Sequence, residues 1–133
     1  MPFHYQRDDA RRRIALTLTD PLTLTELIAT AEHQFTDGGW QDALLVDARA
    51  TFIALQSMTM LLFASYLRGL VAAHGPRGPI AIVTQKSAAV SAQMYHFFGG
   101  KTESFAVFWD LDAAQQWLDQ RMDSAGLSAT SQP

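Results

Sequence analysis

The stretch GPIAIVTQKSAAVSAQMYHFFGGKTESFAVFWDLDAAQQWL, residues 78–118, decides how this chain folds. IAIVT at 80–84 is a short unbroken apolar run after Gly78-Pro79, the pattern of a strand buried on both faces. KSAAVSAQMYHFF at 86–98 is long enough for a helix, and Gly99-Gly100 beyond it supplies a C-cap. FAVFW at 105–109 returns to strand character. Asp110 then caps a helix over 111–122, with Leu111, Ala114 and Leu118 on one side and Trp117 beside them. Strands alternating with helices imply parallel pairing through helical crossovers.

The same stretch contains Gly100-Lys101-Thr102, which invites comparison with a phosphate-binding loop. That loop sits between a strand and the following helix and needs an upstream glycine where position 95 here is Tyr. Here the segment follows a helix and precedes a strand, so it reads as a helix end and a turn.

Working outward, the N-terminus reads as a hairpin. One strand covers 3–7, Asp8-Asp9-Ala10 turns, and the return strand alternates Ile14, Leu16 and Leu18 with Ala15, Thr17 and Thr19 before Asp20-Pro21 stops it. Thr23 is a plausible N-cap with Glu26 three residues on. Leu24, Leu27, Ile28, Ala31 and Phe35 then form one helical stripe, ended by DGG at 37–39. ALLVDA at 43–48 is another buried strand, and an apolar helix over about 54–74 is closed by HGPRGP. The predicted order is ββαβαβαβα: an α/β domain with a mainly parallel sheet, an antiparallel N-terminal edge strand and flanking helices. It spans 1–123, and the Ser/Ala/Thr/Gln-rich residues 124–133 are expected to be a disordered tail.

Bulk properties exclude several classes. A chain of 133 residues suits one domain that needs no covalent staple, and the absence of cysteine removes disulfides, thiolate nucleophiles and cysteine metal sites. A formal net charge of −3 gives no general attraction to nucleic acid or anionic membrane. The run 52–73 is long enough to cross a bilayer, but Gln56, Ser57, Thr59, Ser65 and Arg68 interrupt it, so a buried helix is expected. The N-terminal residues lack the pattern of a signal peptide, which points to a cytoplasmic protein.

The N-terminal hairpin, LLVDARATF leading into a helix, GPIAIVT, and FAVFWDLDAAQQWL together resemble the SpoIIAA-like group of small bacterial STAS/SEC14-type domains. The resemblance spans about residues 3–122. It implies the fold, with the last strand running through the aromatic-aspartate turn at Phe105 to Asp110 into a helix bearing Trp117. Anti-sigma-factor antagonists of the STAS class carry a phosphorylated Ser or Thr in an Asp-Ser-Ser-Gly-like turn before the second helix. With Phe52 set on the phenylalanine of that motif, Ala54 and Leu55 stand at the aspartate and phosphoacceptor positions. Ser57 comes two residues later, without the preceding Asp or following Gly, so the chain lacks the usual phosphoacceptor motif.

Candidate functional residues fall into two sets. Ligands of open α/β sheets bind beyond the carboxyl ends of the strands. That rule gathers Asp47, Arg49 and Thr51, then Thr84, Gln85, Lys86 and Ser87, then Asp110, on one rim. Arg49 and Lys86 are suited to an anion, while the plainer reading makes Ser87 and Asp110 N-caps and pairs Asp47 with Arg49 or Lys86. The second set is apolar: Met58, Met60, Leu62, Phe63 and Tyr66 on the second helix, Met94 and Phe98 on the third. A helix apolar nearly all round has a surplus face that needs a partner.

Neither His4, His33, His74 nor His96 has metal-ligand spacing; His96 is expected to be partly buried and hydrogen-bonded. Arg11-Arg12-Arg13 reads as a solvated strand end. No nucleophile, base and orienting group stand together. The expectation is a non-enzymatic interaction or regulatory module without cofactor, forming a homo-oligomer or binding a protein partner through the second helix. The alternative is a carrier of an apolar or amphipathic, lipid-like ligand between the second and third helices. Its cavity would be lined by Met58, Leu62, Met94 and Phe98, with Arg49 or Lys86 holding a head group.

Overall fold

A computed structural model describes residues 3–20, 22–51, 57–100, 102 and 104–130. The chain enters the sheet as an antiparallel hairpin of β1 (Phe3–Asp8) and β2 (Arg13–Thr19), in register from Phe3↔Leu18 to Asp8↔Arg13. The turn closes through Arg12 N–H donating to the Asp9 carbonyl at 3.2 Å, with Arg12 in the left-handed region at φ 53°. There follow α1 (Leu24–Thr36), β3 (Ala43–Ala50), α2 (Ser57–His74), β4 (Ile80–Val83), α3 (Ala88–Phe98), β5 (Phe105–Phe108) and α4 (Leu111–Thr130).

The five strands lie in chain order, β1 antiparallel to β2 and β2 to β5 parallel. Parallel neighbours in chain order, each joined by a right-handed crossover, place every crossover helix on the same face. Leu27 of α1, Met60 and Ala64 of α2, and Met94 and Phe97 of α3 accordingly share one apolar core. No crossover constrains α4, which covers the other face with Ala114, Trp117 and Leu118.

Strand alternation divides the two faces cleanly. Ile14, Leu44, Ile80 and Phe105 form one cross-strand row towards α1–α3, and Leu16, Val46, Ile82 and Val107 form the next. The row between them, Ala15, Leu45, Ala81 and Ala106, faces the opposite way. Its alanines let the single helix α4 lie close to the sheet, and the Trp117 ring fills the space beside Phe108 at 5.8 Å.

The caps lie where the sequence places them. The Thr23 hydroxyl accepts from Glu26 N–H at 3.3 Å, Ser87 Oγ accepts from Val90 N–H at 3.2 Å, and Gly99 ends α3 at φ 88°. Helix α4 runs on through Thr130. Two expectations are corrected. The three arginines do not share a solvated strand end. Arg13 lies under α4, its Nη2 2.5 Å from Asp119 Oδ1, while Arg11 and Arg12 are exposed. His96 is exposed, resting edge-on to Phe97 at 5.6 Å. No helix among the described residues is long and apolar enough to cross a membrane.

Candidate functional site

An apolar cavity of about 90 Å³ lies between the sheet and α1–α3. Its floor is the two apolar cross-strand rows, through Leu16, Leu44, Val46, Ile80, Ile82 and Phe105, with Leu18 and Ala48 beyond. Its roof is Leu27 and Ala31 of α1, Met60, Phe63 and Leu67 of α2, and Met94 and Phe98 of α3. α2 contributes these residues because Met60, Ala64 and Leu67 recur at helical spacing along its inward side.

Tyr5, Thr30, Gln34 and Arg77 supply the polar part of the lining. Three have their polar groups engaged. The Thr30 hydroxyl donates to the Leu27 carbonyl at 2.7 Å, Tyr5 Oη donates to Asp37 at 3.4 Å, and Gln34 Nε2 donates to the Gly39 carbonyl at 2.9 Å. Burial, reinforced by the Asp37 carboxylate, pushes the Tyr5 phenol up to about 12.

Arg77 differs. It belongs to the loop between α2 and β4, at the amino ends of the parallel strands. One nitrogen, Nη2, donates to Gln34 Oε1, and the guanidinium lies over the Trp40 ring at 4.8 Å. Trp40 is held in turn by its Nε1–H donating to the Gly75 carbonyl at 3.0 Å. The residue as a whole is partly exposed, yet its Nε is buried and meets no acceptor among the described residues. No carboxylate there forms an ion pair with it, and burial alone pushes its pKa down to about 10. Gly78 makes this arrangement possible: its N–H donates to the Trp40 carbonyl at 3.1 Å, and a Cβ there would collide with the Gln41 and Asp42 carbonyls.

The apolar residues proposed from sequence divide. Met60, Phe63, Met94 and Phe98 line the cavity. Met58 and Leu62, expected beside them, point outward and are 69% and 49% exposed. Residues 58 and 62 share one side of the helix and 60, 63 and 67 another, and the crossover geometry turns the second side inward. Tyr66 reaches sideways, its Oη donating to Glu32 of α1 at 3.2 Å.

The polar rim lies at the carboxyl ends of the strands, and most of its side chains are engaged locally. Arg49 grips Asp47 with Nε to Oδ1 at 2.9 Å and Nη2 to Oδ2 at 2.8 Å, which holds the Asp47 carboxyl below its usual range. Thr84 is buried and its hydroxyl donates to the Gln85 carbonyl at 3.1 Å; Gln85 Nε2 donates to the Arg49 carbonyl at 3.1 Å. Thr51 donates to Asp20 at 2.6 Å. Ser87 caps α3, Asp110 accepts from Ala113 N–H at 3.1 Å, and Lys86 Nζ stands 6.0 Å from the Trp109 ring. Neither Arg49 nor Lys86 is part of the cavity lining. Phe52, Ala54 and Leu55, which bear on the phosphoacceptor question, lie outside the described residues.

Sequence reasoning missed Arg77, Gln34 and Trp40. HGPRGP reads only as a helix-ending loop, and a lone arginine between a glycine and prolines carries no mark of burial. The single available signal was position, at the mouth of a strand too apolar to be exposed. Among the described residues no group of three or more His, Asp or Glu side chains is placed to hold a metal ion. Compared with models of known families, with characterised proteins and with solved structures, the chain matches none.

Proposed function

We propose that this chain is a non-enzymatic, SpoIIAA-like binding module that holds a small apolar or amphipathic molecule between its sheet and α1–α3. The observation that carries this reading is the cavity of about 90 Å³, lined almost wholly by aliphatic, methionine and aromatic side chains. Interiors of ordinary domains are close-packed, with few voids larger than a water. An apolar void of this kind stays dry and takes up small apolar molecules, as an engineered cavity of about 150 Å³ does for benzene. Met60 and Met94 give it walls that adjust to a guest.

The test is titration of the protein with 1-butanol, followed by ligand-observed NMR and thermal melting. The wild type should bind and gain stability. Ala48→Val, which fills the cavity from β3, should weaken binding at least about tenfold while keeping or raising the melting temperature. Equal binding by both proteins, or none by the wild type, overturns the reading.

Self-association through α2 is a second reading, supported by the exposure of Met58, Leu61 and Leu62 on one side of that helix. A second copy of the chain would cover them. Light scattering of Leu62→Glu checks it: loss of an oligomer with an unchanged circular dichroism spectrum supports the reading, and a monomeric wild type ends it.

A further inference from the structure

We infer that the ligand of this cavity is a short-chain monocarboxylate whose carboxylate group meets the Nε edge of Arg77. The inference rests on the reading of the cavity as a ligand site and adds to it the chemistry of the head group.

Nearly all the lining is apolar, and among the described residues Arg77 is the one cationic side chain in it. Uncompensated buried charge is costly, and proteins retain it where something else supplies the counter-charge. Arg7, Arg12, Arg13 and Arg49 have carboxylate partners at 2.5 to 3.7 Å, whereas Arg68 and Arg121, the latter also with a buried Nε that meets no acceptor, have none among the described residues but lie outside the cavity lining. Arg77 has none among the described residues, although Asp42 lies in the neighbouring loop; Asp42 is taken by Arg7 at 3.7 Å and Arg12 at 3.5 Å.

The way Arg77 is held also defines what it can bind. Trp40 covers one face of the guanidinium and Gln34 takes one hydrogen on Nη2. The buried Nε–H meets no acceptor among the described residues, and Nη2 beside it has a second hydrogen besides the one Gln34 takes. A planar fork of parallel N–H groups matches a carboxylate, which accepts two such bonds at once. One cation balances one negative charge. A phosphate would bring a second charge and further oxygens against leucine and phenylalanine side chains, with no donor to receive them.

Volume sets the tail. In proportion to the engineered cavity of about 150 Å³ that takes the six carbons of benzene, about 90 Å³ admits about three or four carbons. Butanoate has such a tail, and the polar end of the cavity gives it one orientation: carboxylate at the amino ends of the strands, alkyl chain running towards Met60 and Met94.

The experiment compares sodium butanoate with 1-butanol and butylamine, at one ionic strength, by ligand-observed NMR on the full chain. In the wild type butanoate should bind at least about tenfold more tightly than 1-butanol, and butylamine more weakly than either. Arg77→Met should erase the preference for butanoate over 1-butanol and leave the alcohol bound. Arg77→Lys, which keeps the charge but loses the fork, should keep part of that preference. Equal binding of acid and alcohol by the wild type overturns the carboxylate and leaves the cavity reading standing. A preference that survives in Arg77→Met also overturns it, because the acid is then held elsewhere. If neither butanoate nor 1-butanol binds the wild type, the reading of the cavity as a ligand site fails first. Should Arg77→Met not fold, the wild-type comparison together with Arg77→Lys still decides, since a lysine variant with undiminished preference shows that the arginine fork plays no part.

Discussion

The guanidinium carbon of Arg77 stands 4.8 Å from the centre of the Trp40 ring, and Trp40 donates its indole N–H to Gly75, two residues before that arginine. The loop before β4 is therefore clasped to the loop before β3 by one aromatic side chain. Trp40→Phe keeps most of the buried surface but removes the indole donor and weakens the cation–π contact. It should lower stability by about 1–2 kcal/mol in urea unfolding, and more than Trp109→Phe at an exposed ring.

Two glycines should respond in opposite directions. At Gly78 a methyl group meets the Gln41 and Asp42 carbonyls, which are backbone and cannot yield cheaply. Gly78→Ala should cost more than about 3 kcal/mol or prevent folding. At Gly69, exposed within α2, an added Cβ meets nothing. Gly69→Ala should raise stability by about 0.5–1 kcal/mol through helix propensity. Thermal melts of the two variants check both.

Neighbouring methionines on α2 should separate the same way. Met60 is 3% exposed and roofs the cavity, whereas Met58 is 69% exposed. Met60→Ala should lose about 2–4 kcal/mol, tempered by the void already beside it, and Met58→Ala within about 0.5 kcal/mol of nothing. Similar losses at both positions would contradict the orientation of the helix.

The Tyr5 phenol, raised to about 12, predicts an alkaline transition. Its neutral form is favoured in the folded state, so the unfolded chain loses this proton first. Stability is unaffected below about pH 10 and falls as pH rises from about 10 through 12. Phenolate absorbance should show a delayed step that disappears in Tyr5→Phe, and that variant should also have a shallower alkaline loss of stability.

The Asp47 carboxyl is held below its usual range by Arg49, so the sign is opposite. Stability from this pair is present above the ordinary carboxylate pKa and is lost as pH falls through the depressed one. Arg49 is half-exposed, which limits the pair to about 1 kcal/mol or less. Asp47→Asn should flatten the acid side of the stability profile by that amount and leave 1-butanol binding unchanged, because the pair lies outside the cavity lining.

Much of this molecule was determined locally. The alternation in Ile14, Leu16 and Leu18, the caps at Thr23, Ser87 and Gly99, and the apolar runs at 43–48 and 80–84 fix the element order, because each depends on neighbours a few residues away. Parallel pairing follows from the alternation of strands and helices, and the ion pair of Asp47 with Arg49 lies two residues apart. The cavity and its arginine were decided only in three dimensions. An α2 apolar on nearly every side gives periodicity no means of choosing which side turns inward, and the crossover connections chose Met60 and Phe63 over Met58 and Leu62. Arg77 is half-buried because the loops before β3 and β4 meet, a contact between Trp40 and residues 35 and more positions away that no local pattern encodes. The burial of its Nε and the absence of a counter-charge among the described residues are properties of the whole assembly.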